Sequence, residues 1–374
     1  MFSPSFVPAQ KCRLTWCSVA LLPFILTACD QAKDLVEQGK KQAAELQDKM
    51  SSETTTDGGS TTIADSATTP AEATGSDSTA NSVTPAPQLP VNAEQVLANF
   101  EANAPAEKTD QDLQAIGGLP ENIRARLTVC NLTGSRISAV GMQELSKFPN
   151  LIELNLANCQ GITDQSLAAI KDLHYLEILN LNLTPLSSDC LRHLADLTSL
   201  KHLEMNLTKI TDQGFEHLKG LNRLEHLSLM SVAIDGTGFS KMTTSSTLKV
   251  LHVNNTQFGK FGFKSLRSHS KLEELNARNA GVHDDVVGAI KGHSQIVLLD
   301  LGENPLTDVG GKQLGGLVNL DRIHLDKTQV SNLTVPAFRL SKNMTQFDAY
   351  QTGISTVGAE QLKKYAPNVK VRLN

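Results

Sequence analysis

Aromatic side chains are scarce in this chain, with one Trp, three Tyr and twelve Phe among 374 residues. A packed enzyme core usually holds more rings, whereas a core built mainly of leucine needs few. Charge of either sign is weak as well. The formal net charge is -5 and no long run of lysine or arginine exists. Neither nucleic acid nor an acidic membrane surface is therefore expected as the principal partner. The familiar catalytic signatures are missing: there is no G-x-S-x-G, no H-E-x-x-H, no P-loop and no G-x-G-x-x-G. No C-x-x-C is present for zinc or redox work. The chain is read as a non-enzyme with no cofactor and no catalytic residue.

The N-terminus is richer. Lys11 and Arg13 precede an apolar run, Leu14 to Leu26, which is too short for a membrane span of about 20 residues. It suits the apolar core of a signal peptide. Leu26-Thr27-Ala28-Cys29 follows and resembles the lipobox of bacterial lipoproteins. That resemblance implies cleavage after Ala28 and lipidation of Cys29 with palmitate-type acyl chains, each buried methylene contributing about 0.8 kcal/mol to anchoring. An ordinary secretory signal, or an uncleaved anchor, would leave Cys29 incidental. Beyond Cys29 only Cys130, Cys159 and Cys190 remain, an odd number at wide spacing, so buried free thiols are expected.

After a charged stretch from Asp30 to Met50, the composition shifts at Ser51 to Ser, Thr, Ala, Asp, Gly and Pro, with no lysine or arginine before Pro90. Such a segment buries too little apolar surface to offset its ordering entropy and reads as a disordered tether. A folded head is expected from Val91. Asn92 offers an N-cap, with Val96, Leu97 and Phe100 on one helical face, and Leu113, Ile116 and Leu119 mark a second amphipathic piece.

Then a repeat takes over. Apolar residues recur at Leu127, Leu151, Leu176, Leu200, Leu224, Leu248, Leu272, Ile296, Leu320 and Met344, 24 or 25 residues apart. Counting each as position one, positions four and six are apolar throughout, as in Leu203 and Met205 or Leu299 and Leu301. Position nine is mostly threonine: Thr184, Thr208, Thr256, Thr328 and Thr352. The L-x-x-L-x-L frame, with I-T-D-x-G-F at Ile210 to Phe215, resembles the leucine-rich repeat, and within it the cysteine-containing subfamily. No F-box-like module is apparent, so a ubiquitin-ligase role is not implied.

Elementary geometry accounts for the frame. Positions four and six point inward from a short strand, while three, five and seven point outward. Threonine at nine suits hydrogen bonding where the chain leaves the strand. Aspartate at thirteen (Asp164, Asp212, Asp308) suits a helix N-terminus. Positions sixteen and nineteen form the helix's inner face, and glycine at fifteen is expected to let helix pack closely on strand. No unit covers its own leucines, so each needs neighbours and the array needs lids.

The fold expected is an α/β leucine-rich-repeat solenoid, a horseshoe with parallel strands on the concave face and helices on the convex face, preceded by a disordered stalk. Its parts are a lipoprotein signal peptide (1–28), a lipidated N-terminus and tether (29–90), a helical N-terminal cap (91–126) and ten repeats with a closing strand, Val369 to Asn374 (127–374).

Two outward patches invite function. His202-Leu203-Glu204 spells H-x-E, but the P-C-x-x-C that completes a zinc-deaminase signature is absent. His202, Glu204 and His226 face outward on adjacent strands, with His252 a less certain neighbour; they form a weak metal, proton or enzymatic patch that ranks last, and no metal is expected. His269 and His293, at position twenty-two, read as variants of a leucine site. Toward the C-terminus the ribbon carries Glu274, Arg278, Asp300, Arg322, His324, Asp326 and Tyr350, a mix suited to partner binding. N-x-S/T triplets at Asn131, Asn182 and Asn206 recur through the repeat and carry no expectation of glycosylation. The functional expectation is a monomeric, envelope-anchored lipoprotein facing outside the cytoplasm, binding an unknown protein or glycan through its concave face. A structural envelope scaffold is the alternative.

Overall fold

The structure, a computed structural model, describes residues 92–242 and 247–373. The signal-like run, Cys29, the tether and the start at Val91 lie outside the described residues.

Eleven strands, each of three residues, form one sheet in sequence order. They are β1 Val129–Asn131, β2 Glu153–Asn155, β3 Ile178–Asn180, β4 His202–Glu204, β5 His226–Ser228, β6 Val250–His252, β7 Glu274–Asn276, β8 Leu298–Asp300, β9 Arg322–His324, β10 Gln346–Asp348 and β11 Lys370–Arg372. All pair in parallel, and each residue faces its equivalent in the next unit, as in Leu179↔Leu203 and Leu203↔Leu227. The inward side chains therefore stack in columns. Positions four and six are buried in every unit, from Cys130 and Leu132 to Phe347 and Ala349. Cys130, Cys159 and Cys190 are buried free thiols.

Where each strand ends, the backbone turns through position eight in the left-handed region. Gly134 has φ 70°, and Asn158, Leu183, Leu207, Ser231, Asn255, Asn279, Glu303, Lys327 and Gln351 range from 50° to 59°. A β-branched residue would strain this conformation, and none occupies the position. At position nine the threonine hydroxyls of Thr184, Thr208, Thr256 and Thr328 each donate to the position-six carbonyl of their own unit, at 2.6–2.7 Å. Thr256 also accepts from the Phe258 backbone N–H at 3.2 Å, so its hydroxyl serves a carbonyl and an amide. Asn304 does both, donating to carbonyls of Ala277 and Leu301 and accepting from the amides of Ala280 and Val282.

The return segments differ from the plain helices expected. Among the described residues five are 3₁₀, including Asp164–Ile170, Ser188–Leu194 and Asp212–Gly220, while Ala139–Leu145 and Thr356–Tyr365 are α. Three mix the two, as Asp308–Gln313 with Leu314–Gly316, so most helical residues of the returns are 3₁₀. A 3₁₀ helix rises about 2.0 Å per residue against 1.5 Å for α, so it spans the return with fewer residues in a short unit. Leu191, Leu194, Phe215 and Leu218 are fully buried on the inner face.

The aspartates at thirteen open their helices, as expected, and the geometry adds a lateral role. They reach sideways: Asp164 accepts from the Ser187 backbone N–H at 2.8 Å and its hydroxyl at 2.6 Å, and Asp308 does the same for Ser331. Asp284 clamps Thr307 likewise. Each therefore ties its unit to the helix entry of the next. Glycine at fifteen serves the same contact, since a Cβ on Gly238 would lie 2.0 Å from the Asp212 carbonyl oxygen in the preceding unit.

At the N-terminal end, α1 Ala93–Ala102 is capped by Asn92, and α2 Asp110–Gly117 by Thr109 with Asp112. They bury Leu97, Phe100, Leu113 and Ile116 against the first unit. Lys108 lies 4.3 Å above the Phe100 ring and donates to the Asn131 carbonyl on the edge strand β1.

Leu183→Val should cost about 1–2 kcal/mol in urea unfolding, because it places a β-branched residue at φ 59°. Leu183→Asn should be neutral or stabilising, and equal stabilities for the two variants would refute the backbone argument. Deleting 92–126 should expose the face under Leu127 and Leu132 and yield aggregation or a less cooperative melt.

Candidate functional site: the outward face of the sheet

The outward side chains fall into those that finish the fold and those left over. At position seven the strand has ended, and the backbone N–H needs an acceptor. In five units the position-five side chain two residues back supplies it: Asn131 to Thr133, Asn155 to Ala157, Asn180 to Asn182, Asn276 to Arg278 and Asp300 to Gly302, at 2.9–3.4 Å. In three others the position-seven side chain of the preceding unit does so: Asn182 to Asn206, Asn206 to Met230 and Asp326 to Tyr350, at 2.6–2.9 Å. Much of the asparagine and aspartate row is thus structural.

The histidine patch assembles differently from expectation. His202 and His226 are in register on β4 and β5, and their rings stack with centroids 5.5 Å apart. Glu204 does not join them. Its Oε2 accepts from the side-chain amides of Asn180 and Asn182 at 3.0 and 2.7 Å. Instead His252 meets His226 edge-on at 5.2 Å, and its Nε2 lies 2.9 Å from Oε1 of Glu274. His252 sits at position five and Glu274 at position three, so the row runs diagonally across β4 to β7. Burial pushes the His226 pKa down to about 3, with His252 and His202 adding to the effect. His202 is lowered too, mainly by burial, while the hydrogen bond from His252 lowers Glu274. Among the described residues no group of three or more His, Cys, Asp and Glu is placed to hold a metal ion.

The C-terminal patch is half wired into itself. Arg278 reaches Asp300, Glu303 and Asp326 at 3.3–3.5 Å, and Lys327 reaches Glu303 at 3.0 Å. Burial opposes the Arg278 charge, but Asp300, Asp326 and Glu303 outweigh it and raise its pKa. Burial raises Asp300. His324 Nδ1 lies 2.9 Å from Oδ2 of the buried Asp348. Arg322 and Tyr350 are the ones that project, with the Arg322 side chain 47% exposed and Tyr350 45%. The seven residues therefore separate into an internal ion network (Arg278, Asp300, Asp326), two histidine–carboxylate contacts (Glu274, His324) and two outward side chains.

His269 and His293 are buried on the helix side. His293 Nε2 lies 2.7 Å from the Leu266 carbonyl, and the His269 ring packs 5.0 Å from Phe239. Sequence reasoning missed the position-seven capping, although asparagine recurring at five and seven signalled it. It placed His252 near the patch but not its contacts with His226 and Glu274, which depend on a diagonal reach between strands.

A parallel ladder of three-residue strands, one per 24-residue unit, with inward leucine columns defines a solenoid of the leucine-rich-repeat class. The fold is the leucine-rich-repeat solenoid. A family model described as Leucine Rich repeat matches residues 149–171 and 196–218. Among solved structures the chain is similar to an internalin, InlF, from Listeria monocytogenes, at 19% identity over 75% of this chain and 94% of that one, TM-score 0.49. It is also similar to a leucine-rich-repeat protein of Leptospira interrogans, at 16% identity over 70% and 80%, TM-score 0.48. No curated protein matches. A fold of this kind is in general a protein-binding scaffold.

His226 is neutral-favouring in the fold, its pKa lying below the ordinary 6.5. Its contribution to stability is complete above about pH 6.5 and is lost as pH falls toward about 3. His226→Gln should therefore lose less stability than the parent in urea unfolding between about pH 7 and about pH 4.5. Identical acid losses would show that the row does not act this way.

Proposed function

We propose that this protein is an envelope-anchored recognition protein. Cys29 carries the acyl anchor outside the cytoplasm, and the outward face of the sheet binds a protein or glycan without covalent chemistry. The observation that carries the reading is the division of labour on that face. Frame positions repeat, position-seven caps are spent on the backbone, and a small remainder differs from unit to unit, including Arg322 and Tyr350. Arginine and tyrosine are the residue types enriched where interfaces concentrate their energy.

The test is crosslinking in native cells with a photoreactive residue at position 346, opposite Arg322 in the β9–β10 pair. Arg322→Ala and Tyr350→Ala should each weaken capture of a stoichiometric partner by about 5- to 30-fold, corresponding to about 1–2 kcal/mol, with melting unchanged. Capture that is heterogeneous and insensitive to both would favour the scaffold role. Cys29→Ser should move the chain from the membrane to the soluble fraction, and retention there would sink the anchor.

A further inference from the structure

The mild net charge conceals a local excess. From Gly236 to Leu272 there is no Asp or Glu, and six Lys or Arg occur. Folding separates them. Lys249 pairs with Glu225 on the sheet side, and Lys241 with Glu216. Lys264 and Arg267 lie exposed on the helix side of the sixth unit and Lys271 in the turn that leads from it to β7, and no carboxylate among the described residues is within ion-pair distance of them. Arg267 and Lys291 hold the same repeat position in consecutive units, so the exposed charge continues into the seventh. Asp285, one unit beyond Phe261 at the same repeat position, is a carboxylate at the rim.

An aromatic ring accompanies these cations. The segment Phe258 to Phe263 reads F-G-K-F-G-F, and its first and last rings are fully buried. Phe258 packs edge-on to Phe239 at 5.0 Å and lies 6.3 Å from Phe263. With both flanks pinned, Phe261 is held 38% exposed on the same return segment as Lys264 and Arg267. One exposed ring among cations is the chemistry of a bilayer interface: the ring enters the headgroup–acyl boundary and the cations meet phosphates.

We propose that the helix side of the sixth and seventh units docks on an anionic phospholipid bilayer. The choice of a bilayer over another polyanion rests on the anchor proposed at Cys29, which keeps the folded part beside a membrane. The contact is weak by itself and screened by salt. Its face lies across the core from Arg322 and Tyr350, so docking leaves the proposed recognition surface open.

The test uses the mature chain from Cys29 with Phe261→Trp; Trp16 lies in the leader proposed to be cleaved, so residue 261 is the sole indole. Vesicles of phosphatidylcholine mixed equally with phosphatidylglycerol should shift its emission to the blue, and brominated acyl chains should quench it. Pure phosphatidylcholine vesicles should do neither. Lys264→Gln, Arg267→Gln and Lys271→Gln should weaken the response by about fivefold per charge, the factor that corresponds to about 1 kcal/mol. Equal responses on neutral and anionic vesicles, or no quenching, overturn the proposal. A response to soluble polyphosphate without one to vesicles also overturns it, in favour of an anionic polymer. If the triple variant melts early, salt titration of the parent decides: a response unchanged by high salt counts against docking. Fractionation of Cys29→Ser reports the anchor separately, so either failure is read on its own.

Discussion

The whole molecule depends on the inability of one unit to bury its own leucines. A three-residue strand makes too few hydrogen bonds to persist alone, and its two inward side chains need a wall on either side. In-register parallel pairing supplies that wall, because position four of each unit lands on position four of the next. Removing apolar surface from water contributes roughly 25 cal/mol per Å², and here nearly all of it is shared between neighbours. Cooperativity then passes along the array, and the first unit needs cover, which α1, α2 and Lys108 provide.

Stacking creates a second demand, at the rims. Each strand ends after three residues, leaving backbone groups that no ladder satisfies. The structure meets this with side chains at fixed positions: an Asn or Asp at five or seven for the amide, threonine at nine for the carbonyl, and aspartate at thirteen for the next helix entry. The left-handed residue at eight makes these placements possible by turning the chain within one residue. Polar residues on the sheet side are therefore not free to vary as a binding surface would require. Asp300 caps Gly302 and supports Arg278, and Glu204 is held by two amides.

Function resides in what this satisfaction leaves over. On the sheet side the remainder is the diagonal histidine row and the projecting Arg322 and Tyr350. On the helix side it is Phe261 with the exposed Lys264 and Arg267, which make no ion pair among the described residues. The two faces differ in chemistry, and a core of leucine columns separates them, so the proposed recognition and docking surfaces do not overlap.

The sequence by itself determined the period, the inward columns, the buried thiols, the capped entry helices and the closing strand at Lys370–Arg372. Each of these follows from side-chain type at a fixed spacing, and a repeat multiplies the signal tenfold. Only the tertiary structure decided which outward letters are occupied. Glu204 turns from His202 toward Asn182, His252 takes its place beside His226, and Arg278 closes on three carboxylates from the following units. It also decided that the returns are mostly 3₁₀ and that aspartate thirteen reaches sideways. The reason is physical. Inward positions answer to burial, which side-chain type reveals, whereas outward and lateral contacts join residues more than twenty positions apart, and their choice of partner depends on reach and rotamer across the strand spacing.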